Sequence, residues 1–377
     1  MKIPFNRPYI TGKETKYISQ AVKFGQLSGD GFFTKKCNQW LVNKIGCQGA
    51  LLTHSGTAAL EMAAILADIR PGDEVIMPSF TFTSTANAFV LRGAIPVFID
   101  IRPDTLNLDE RQLKKAITKK TKAIVPVHYA GIGCEMETIM KIAKEYNLLV
   151  IEDAAHALSS MYNNKPLGSF GHFAIISFHE TKNIHCGEGG ALLINDKNYM
   201  ERAEIIREKG TNRSKFFRGE VNKYSWVDIG SSFLPSEINA AFLWAQMTSE
   251  YLIRSSRLDI WEQYHAMFKE PEADRILRRP VIPRNCRHNA HMYYILVATH
   301  RKRALVLKHL RDKGYQAIFH YVPLHNSKAG LKFSRSVGKL SNTLDISKRI
   351  IRLPLWIGLR KKEIRKMADL ALMTLEQ

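Results

Sequence analysis

Short apolar runs alternate with stretches of helical periodicity between about residue 48 and residue 200. The runs have the length and composition of buried strands, and they cover residues 74–77, 96–99, 123–127, 148–152, 174–178 and 191–195. The clearest helical stretches between them cover residues 57–67, 109–117 and 136–146. Strands that alternate with helices favour a mainly parallel sheet covered on both faces, so the sequence predicts an α/β fold.

The chain continues with a different pattern after residue 235. A mostly helical stretch covers residues 235–269, and a looser segment rich in proline and arginine covers residues 270–287. The remainder has one clear strand at residues 292–298 and amphipathic helices at residues 301–313, 344–351 and 361–375. We therefore expect a large domain over residues 1–250, including an N-terminal arm, and a smaller C-terminal α/β domain over residues 251–377.

Composition excludes several classes of protein. The 377 residues are 45% hydrophobic, without an apolar stretch of membrane-spanning length, and the N-terminus lacks the apolar core of a secretory signal. The five cysteines are spread along the chain without a CxxC pair, which argues against a disulfide framework or a structural zinc site. We expect a cytoplasmic protein without stable membrane insertion.

The formal net charge of +20 calls for an anionic partner or a basic solvated surface. Nucleic acid, a membrane surface and an anionic small substrate are all compatible with it. The basic residues are scattered, and they are densest at residues 202–223, 275–287 and 360–366. Charge alone does not choose among these partners.

One lysine and one aspartate carry the strongest chemical signal. Lys182 follows a predicted strand, five residues after Ser177 and just before the glycines at 187–190, and Asp153 ends another predicted strand. In a parallel sheet both strand ends lie at the same edge, so these side chains can meet. An amine that condenses with an aldehyde and a carboxylate that keeps a pyridinium protonated are what pyridoxal phosphate chemistry requires. The pair favours an enzyme with that cofactor.

Weaker signals agree with this hypothesis. Gly56 and Thr57 open a helix whose backbone N–H groups can face a phosphate, although an ordinary capped helix start has the same pattern. The Ser177 hydroxyl can reach the same anion. Phe82 can cover the cofactor ring, although core packing is an equally plausible role for it. His156 can bond to the ring oxygen, although a lone histidine is more often structural. Their order fits one sheet, and this joint occurrence is hard to obtain by chance.

Other motifs do not support a competing chemistry. The sequence Gly-Glu-Gly-Gly at 187–190 is not GxGxxG, and neither GxxxxGK[ST] nor GxSxG occurs. The histidines at 172, 179 and 185 and Cys186 lack metal-ligand spacing, so we predict no metal site.

Several segments resemble the PLP-dependent nucleotide-sugar aminotransferases of the DegT/DnrJ type. They are residues 54–60, 152–156, 177–182, 187–190, 320–325 and 353–355. The resemblance implies a fold-type I transferase that is a homodimer with shared active sites. It implies that Lys182 bonds to the cofactor, that Asp153 pairs with the pyridinium, and that Phe82 stacks on the ring with His156 near its oxygen. Gly56, Thr57 and Ser177 would then hold the phosphate. Many relatives have an asparagine from the neighbouring subunit at this phosphate, where this chain has Ser232.

A closer likeness within the family involves residues 207–213, 216–219 and 229–233. These segments are similar to the members that aminate C4 of dTDP-4-keto-6-deoxy-D-glucose for enterobacterial common antigen or a related surface polysaccharide. The likeness implies a dTDP-sugar substrate and L-glutamate as the amino donor. The basic, aromatic loop at residues 207–226 suggests Arg213 and Arg218 as contacts to the diphosphate of the substrate. Further candidate substrate ligands are His320, Tyr321 and His325.

Alternatives stay open at this point. The acceptor can be another keto nucleotide sugar, with the ketone at C3 or with UDP or GDP. Sugar 3-dehydratases related to this family typically have histidine where this chain has Lys182, which weighs against that reaction. A regulatory or nucleic-acid-binding protein on the same fold is disfavoured by the intact Lys182 and Asp153 and by the scattered charge, so we expect no nucleic-acid partner.

Overall fold

The computed structural model describes residues 2–376, which form helices and strands in alternation. The helices are α1 Glu14–Phe24, α2 Phe32–Ile45, α3 Gly56–Leu66, α4 Thr83–Val90, α5 Leu113–Ala116, α6 Met136–Glu145, α7 Met200–Arg207, α8 Arg213–Phe217, α9 Glu237–Met247, α10 Glu250–Met267, α11 Lys269–Ala273, α12 His300–Asp312, α13 Lys328–Phe333, α14 Ser341–Arg349 and α15 Lys361–Glu376. The strands are β1 Gly49–Thr53, β2 Glu74–Pro78, β3 Ile95–Ile99, β4 Thr121–Ile124, β5 Leu149–Asp153, β6 Met161–Tyr162, β7 Lys165–Pro166, β8 Phe173–Ser177, β9 Gly190–Ile194, β10 Leu277–Arg278, β11 Cys286–Arg287, β12 Tyr293–Val297, β13 Arg335–Ser336 and β14 Ile350–Leu353.

The central sheet has eight strands in the order β1-β9-β8-β5-β4-β2-β3-β13. Strand β9 runs antiparallel to both of its neighbours, and the other strand pairs are parallel. The α/β prediction with a mainly parallel sheet is therefore confirmed.

Both faces of this sheet are covered, because successive residues of each strand point to opposite sides. In β5, Val150 contributes to one buried apolar core and Ile151 to the other. In β8, Ala174 and Ile175 divide in the same way. Strands buried on both faces explain why the sequence shows continuous apolar runs there.

A second sheet, β10-β12-β14, builds the C-terminal part with helices that include α10, α12 and α15. Its core is a separate apolar cluster that also takes in Ile3 from the N-terminal arm, which bridges to Tyr315. Conversely, β13 joins the edge of the central sheet beside β3. The N-terminal arm thus packs in the C-terminal part, and β13, which follows residue 250, packs in the central sheet. The domain boundary at residue 250 stays a prediction.

Three details of the predicted elements were wrong. The predicted helix at residues 344–351 ends at Arg349, because Ile350 and Ile351 pair with Leu296 and Ile295 in a sheet. Residues 109–117 form a short 3-10 turn and the one-turn helix α5 in place of a continuous helix. Strand β14, like β1, has no counterpart in the prediction. Over residues 2–376, no helix combines the length and the apolar character needed to cross a membrane.

A buried carboxylate fixes the end of β5 where the site lies. Glu152 is fully buried and accepts hydrogen bonds from the backbone N–H groups of Gly168, Phe170 and Gly171 at 2.8–2.9 Å. It also bonds to His128 Nε2 at 2.9 Å. One side chain therefore holds the loop before β8 against β5.

We predict that Glu152→Ala lowers the free energy of unfolding by about 3–5 kcal/mol, because several buried donors lose their acceptor at once. Urea denaturation of the wild type and the variant measures this change. Glu145→Ala is the control, since Glu145 forms an exposed ion pair with Lys114 and its loss should leave the midpoint unchanged. Equal midpoints for Glu152→Ala and Glu145→Ala would contradict the assigned role.

Candidate active site

The carboxyl ends of β5 and β8 bring the predicted chemical groups to one edge of the sheet. Asp153 is the last residue of β5, and Ser177 is the last residue of β8, the neighbouring parallel strand. Lys182 follows β8 in a turn closed by its N–H to the carbonyl of His179 at 2.8 Å. The charges of Asp153 and Lys182 are close enough to shift each other's pKa.

The carboxylate of Asp153 is buried and held in one orientation. Thr85 Oγ1 donates to Asp153 Oδ2 at 2.8 Å, and the N–H of Ala155 donates to Oδ1 at 3.2 Å. Burial raises the pKa of Asp153, while the hydrogen bonds from Thr85 and Ala155 and the charge of Lys182 oppose that rise. Because burial disfavours the charged form of this carboxylate, any further cation that approaches it stabilises that charged form.

Burial lowers the pKa of Lys182 to about 8, against the opposing effect of the Asp153 charge. The positive charge of Arg352 lowers it further. A pKa near 8 leaves a substantial neutral fraction of this amine near neutral pH. The neutral amine is the form that acts as nucleophile or proton acceptor.

The start of α3 forms a cradle for an anion beside Ser177. Ser55 caps the helix by accepting the N–H of Ala58 at 3.0 Å. Within residues 2–376, the N–H groups of Gly56 and Thr57 have no acceptor. The start of β9 packs closely against this helix start, since a Cβ on Gly190 would lie 2.4 Å from the nitrogen of Gly56. Two free donors at a helix N-terminus, next to a serine hydroxyl, suit a phosphate group.

His156 offers an unpaired ring nitrogen at the same site. Its ring stacks on that of His291 at 4.2 Å, and its buried Nδ1 has no partner among the described residues. Burial lowers the pKa of His156 well below the ordinary value, as do the charges of Lys182 and Arg352, so the ring is neutral. By contrast, the side chain of Phe82 is 58% exposed at the start of α4. The buried nitrogen and the anion cradle together suit a small aromatic phosphate such as pyridoxal phosphate.

A second group of rings comes from the C-terminal part. His320 Nδ1 bonds to the hydroxyl of Tyr129 at 2.7 Å, and the rings of His320 and Tyr321 stack at 3.6 Å. The rings of His320 and His156 are 6.4 Å apart, so this group lies next to the site. His325 bonds to Ser79 Oγ at 2.7 Å, just after β2.

Three predicted ligands have no contact with this group in the single chain. Ser232 is exposed, and its backbone bridges to Glu208. Arg218 forms ion pairs with Glu204 and Glu220, and Arg213 stacks over Phe217 at 5.1 Å. These contacts all lie within residues 201–232.

The sequence interpretation missed several residues that the fold brings to the site. They are Thr85, Tyr129, Asn183, His291 and Arg352. Asn183 Oδ1 lies 3.2 Å from His291 Nδ1 and so connects the residue after Lys182 to the ring under His156. The sequence offered a clue to Arg352, because this residue directly precedes residues 353–355, one of the segments that carry the family resemblance.

Comparison with known proteins gives the same picture over nearly the whole chain. The model of the DegT/DnrJ/EryC1/StrS aminotransferase family matches residues 8–371. An uncharacterized protein of Methanocaldococcus jannaschii, MJ1066, is 33% identical over 362 residues, which are 94% of this chain and 92% of that protein. The spore coat polysaccharide biosynthesis protein SpsC of Bacillus subtilis is 30% identical over 370 residues, covering 96% and 94% of the two chains.

A solved structure shares the full architecture. Spr1654 from Streptococcus pneumoniae, described as a sugar aminotransferase, superposes in its PLP form with a TM-score of 0.91 at 26% identity. The match covers 100% of this chain and 99% of that one. The same protein has also been solved in a PMP form that gives the same TM-score.

We predict that Lys182 of the cofactor-free protein reacts with acetic anhydride as a free amine, with a midpoint near pH 8. The direction follows from burial, which disfavours the charged form, so reactivity rises with pH earlier than for an ordinary lysine. Competitive labelling at a series of pH values, followed by mass spectrometry of the Lys182 peptide, measures the midpoint.

The control for this measurement is Asp153→Asn. The Asp153 charge raises the pKa of Lys182, so its removal should shift the midpoint below that of the wild type. A wild-type midpoint near 10.5, the ordinary lysine value, or no change in Asp153→Asn would contradict the electrostatic account.

Proposed function

The chain belongs to the DegT/DnrJ/EryC1/StrS aminotransferase family, and we propose that it transfers the amino group of L-glutamate to C4 of dTDP-4-keto-6-deoxy-D-glucose. The products would be 2-oxoglutarate and dTDP-4-amino-4,6-dideoxy-D-galactose. Aminotransferases of this family depend on pyridoxal phosphate. The observation that carries the proposal is the pair of Lys182, half-buried with a lowered pKa, and the buried Asp153 at one edge of the sheet.

The described residues suggest a role for each group around the cofactor. Pyridoxal phosphate, when bound, supplies an electron-accepting ring that makes a C–H bond next to the transferred nitrogen acidic. Asp153, held by Thr85, would keep its negative charge beside the ring nitrogen, and the free Nδ1 of His156 would bond to the ring oxygen. Gly56, Thr57 and Ser177 would hold the phosphate, and Phe82 would cover the ring.

Lys182 would move the proton in both halves of the reaction. Its neutral amine would take the proton from Cα of glutamate and return it to the cofactor carbon next to the transferred nitrogen. In the second half it would take a proton from that carbon and deliver it to C4 of the sugar. The face from which Lys182 delivers that proton fixes the configuration at C4. The pKa near 8 suits both directions, because the amine gains and loses a proton close to neutral pH.

The choice of acceptor rests on the likeness of residues 207–213, 216–219 and 229–233 to the C4-aminating members of the family. The same region is basic and partly exposed, and it includes Arg213 and Arg218, which suit a diphosphate. We propose a cytoplasmic enzyme that supplies an amino sugar for enterobacterial common antigen or a related surface polysaccharide. The printed name of SpsC, a polysaccharide biosynthesis protein, agrees with that general role.

We further propose a homodimer in which each site takes residues from both chains. Exposed aromatic residues surround Ser232 and the basic loop, and they include Phe217 and Trp226, which are 70% and 80% exposed. Within residues 2–376, Arg213, Arg218 and Ser232 make no hydrogen bond or ion pair with Lys182 or its neighbours, so we propose that they serve the site of the neighbouring chain. A closed two-fold pair would give two identical sites.

The acceptor is tested with glutamate and a panel of 4-keto and 3-keto sugars linked to dTDP, UDP and GDP. We expect amination of dTDP-4-keto-6-deoxy-D-glucose only, with an axial C4 amine identified by NMR, and loss of all turnover in Lys182→Ala. Preferred amination of another sugar in the panel would identify that sugar as the acceptor in place of the one proposed. A protein that binds pyridoxal phosphate and aminates none of the panel would support the regulatory alternative.

The shared site is tested by complementation between inactive subunits. A Lys182→Ala chain is mixed in equal amounts with a chain carrying Arg213→Ala and Arg218→Ala, and subunit exchange is verified by mass spectrometry. Half of the dimers are then mixed, each with one competent site, so about a quarter of wild-type activity should return if assembly is random. The control is Lys223→Ala in place of the double variant, which should be active alone. Absence of recovery after verified exchange would mean that the loop serves its own chain.

A further inference from the structure

Arg352 lies in the middle of β14, where the C-terminal part approaches the site. Its backbone exchanges hydrogen bonds of 2.7 and 3.1 Å with Ile318, and it pairs with Tyr294 in β12. The ring of Tyr294 is 6.0 Å from that of Tyr129, which bonds to His320. The ring of Tyr129 is in turn 6.1 Å from His156. Arg352 thus belongs to the wall of the site that the C-terminal part supplies, and its charge acts on Lys182.

The guanidinium of Arg352 has no anionic partner within residues 2–376. None of the side-chain hydrogen bonds or ion pairs of these residues involves it, and its Nε is buried without an acceptor. The ring of Phe5 from the N-terminal arm covers it at 4.7 Å. Other buried arginines differ, because Arg257 donates to the carbonyls of Ala290 and His291, and Arg207 pairs with Asp30.

The surroundings of Arg352 do not neutralise it. Burial lowers the pKa of His156, His291 and His320 well below the ordinary value, and the Arg352 charge contributes to each shift, so these rings are neutral. Burial also raises the pKa of Tyr129 and Tyr321, so both hydroxyls stay protonated. A half-buried cation whose Nε is buried without a partner, among neutral groups, is costly, and a bound anion would lower that cost.

We propose that Arg352 binds a carboxylate of the amino-acid donor. This inference rests on the proposed function, in which the donor is a dicarboxylic amino acid whose amine must approach Lys182. The guanidinium fork matches a carboxylate through two parallel hydrogen bonds. The cofactor phosphate would have its own donors at Gly56, Thr57 and Ser177, so it does not need Arg352.

The direct test uses glutarate, which carries both carboxylates of glutamate but cannot be transaminated. Calorimetric titration of the PLP-bound protein should show that Arg352→Gln weakens glutarate binding by about tenfold to a hundredfold, the range for a lost charge-assisted hydrogen bond. Arg352→Lys should lose less affinity, because it keeps the charge and loses the fork. The matched control is Arg303→Gln, since Arg303 also packs over an aromatic ring, Phe319 at 5.5 Å.

A parallel titration with dTDP separates the two anions that the site would receive. We expect the affinity for dTDP to stay the same in Arg352→Gln. If dTDP binding falls while glutarate binding does not, Arg352 recognises the diphosphate and the proposal is wrong. Equal glutarate affinity in the wild type and in both Arg352 variants would also overturn it.

Single-turnover absorbance changes of the cofactor with L-glutamate separate this inference from the proposed function. In Arg352→Gln the glutamate concentration for half-maximal rate should rise at least tenfold, while the amino-sugar concentration for half-maximal rate of the reverse half-reaction should stay the same. If the wild type reacts with glutamate and Arg352→Gln reacts equally well, only the carboxylate assignment fails. If the wild type reacts with glutamate but aminates no keto sugar, the proposed function fails, and the glutarate titration still tests Arg352.

Discussion

The geometry of the site depends on two adjacent carboxylates at the end of β5. Glu152 and Asp153 point to opposite faces of the sheet, because side chains alternate along a strand. Glu152 accepts three backbone N–H groups and a histidine, and so locks β5 to the loop that leads into β8. Asp153 is thereby left facing the site, and among residues 2–376 its donors are Thr85 and one backbone N–H. The position of Lys182 after β8 depends on the same anchored strands.

Burial sets the electrostatics of the site around this carboxylate. It lowers the pKa of Lys182 to about 8 and holds His156, His291 and His320 neutral. The positive charges of Lys182 and Arg352 both act on this site. A site with more cations than anions favours anionic ligands, and both the proposed donor and the proposed cofactor are anionic. The preference therefore follows from local burial more than from the net charge of +20, which is spread over the surface.

The part of the site that sequence could predict is the part that depends on strand ends. The apolar runs located β5 and β8, and the geometry of a parallel sheet then brought Asp153 and Lys182 to one edge. Residues that reach the site by tertiary packing gave no periodic signal. Arg352 arrives from β14, a strand that was not predicted and whose first two residues were assigned to the end of a helix. His291 arrives through a turn at Ala290 with a positive φ of 51°. The contact proposed for Ser232 is with a neighbouring chain, and the fold of a single chain does not include such contacts.

The central claim is that Lys182 carries the cofactor opposite Asp153. Borohydride reduction of the PLP-bound protein, followed by proteolysis and mass spectrometry, tests it most directly, because reduction fixes the cofactor to the lysine that holds it. The account predicts a single pyridoxyl group on Lys182, which disappears when the protein is treated with L-glutamate before reduction. A pyridoxyl group on another lysine, or a label on Lys182 that glutamate does not remove, would contradict the account.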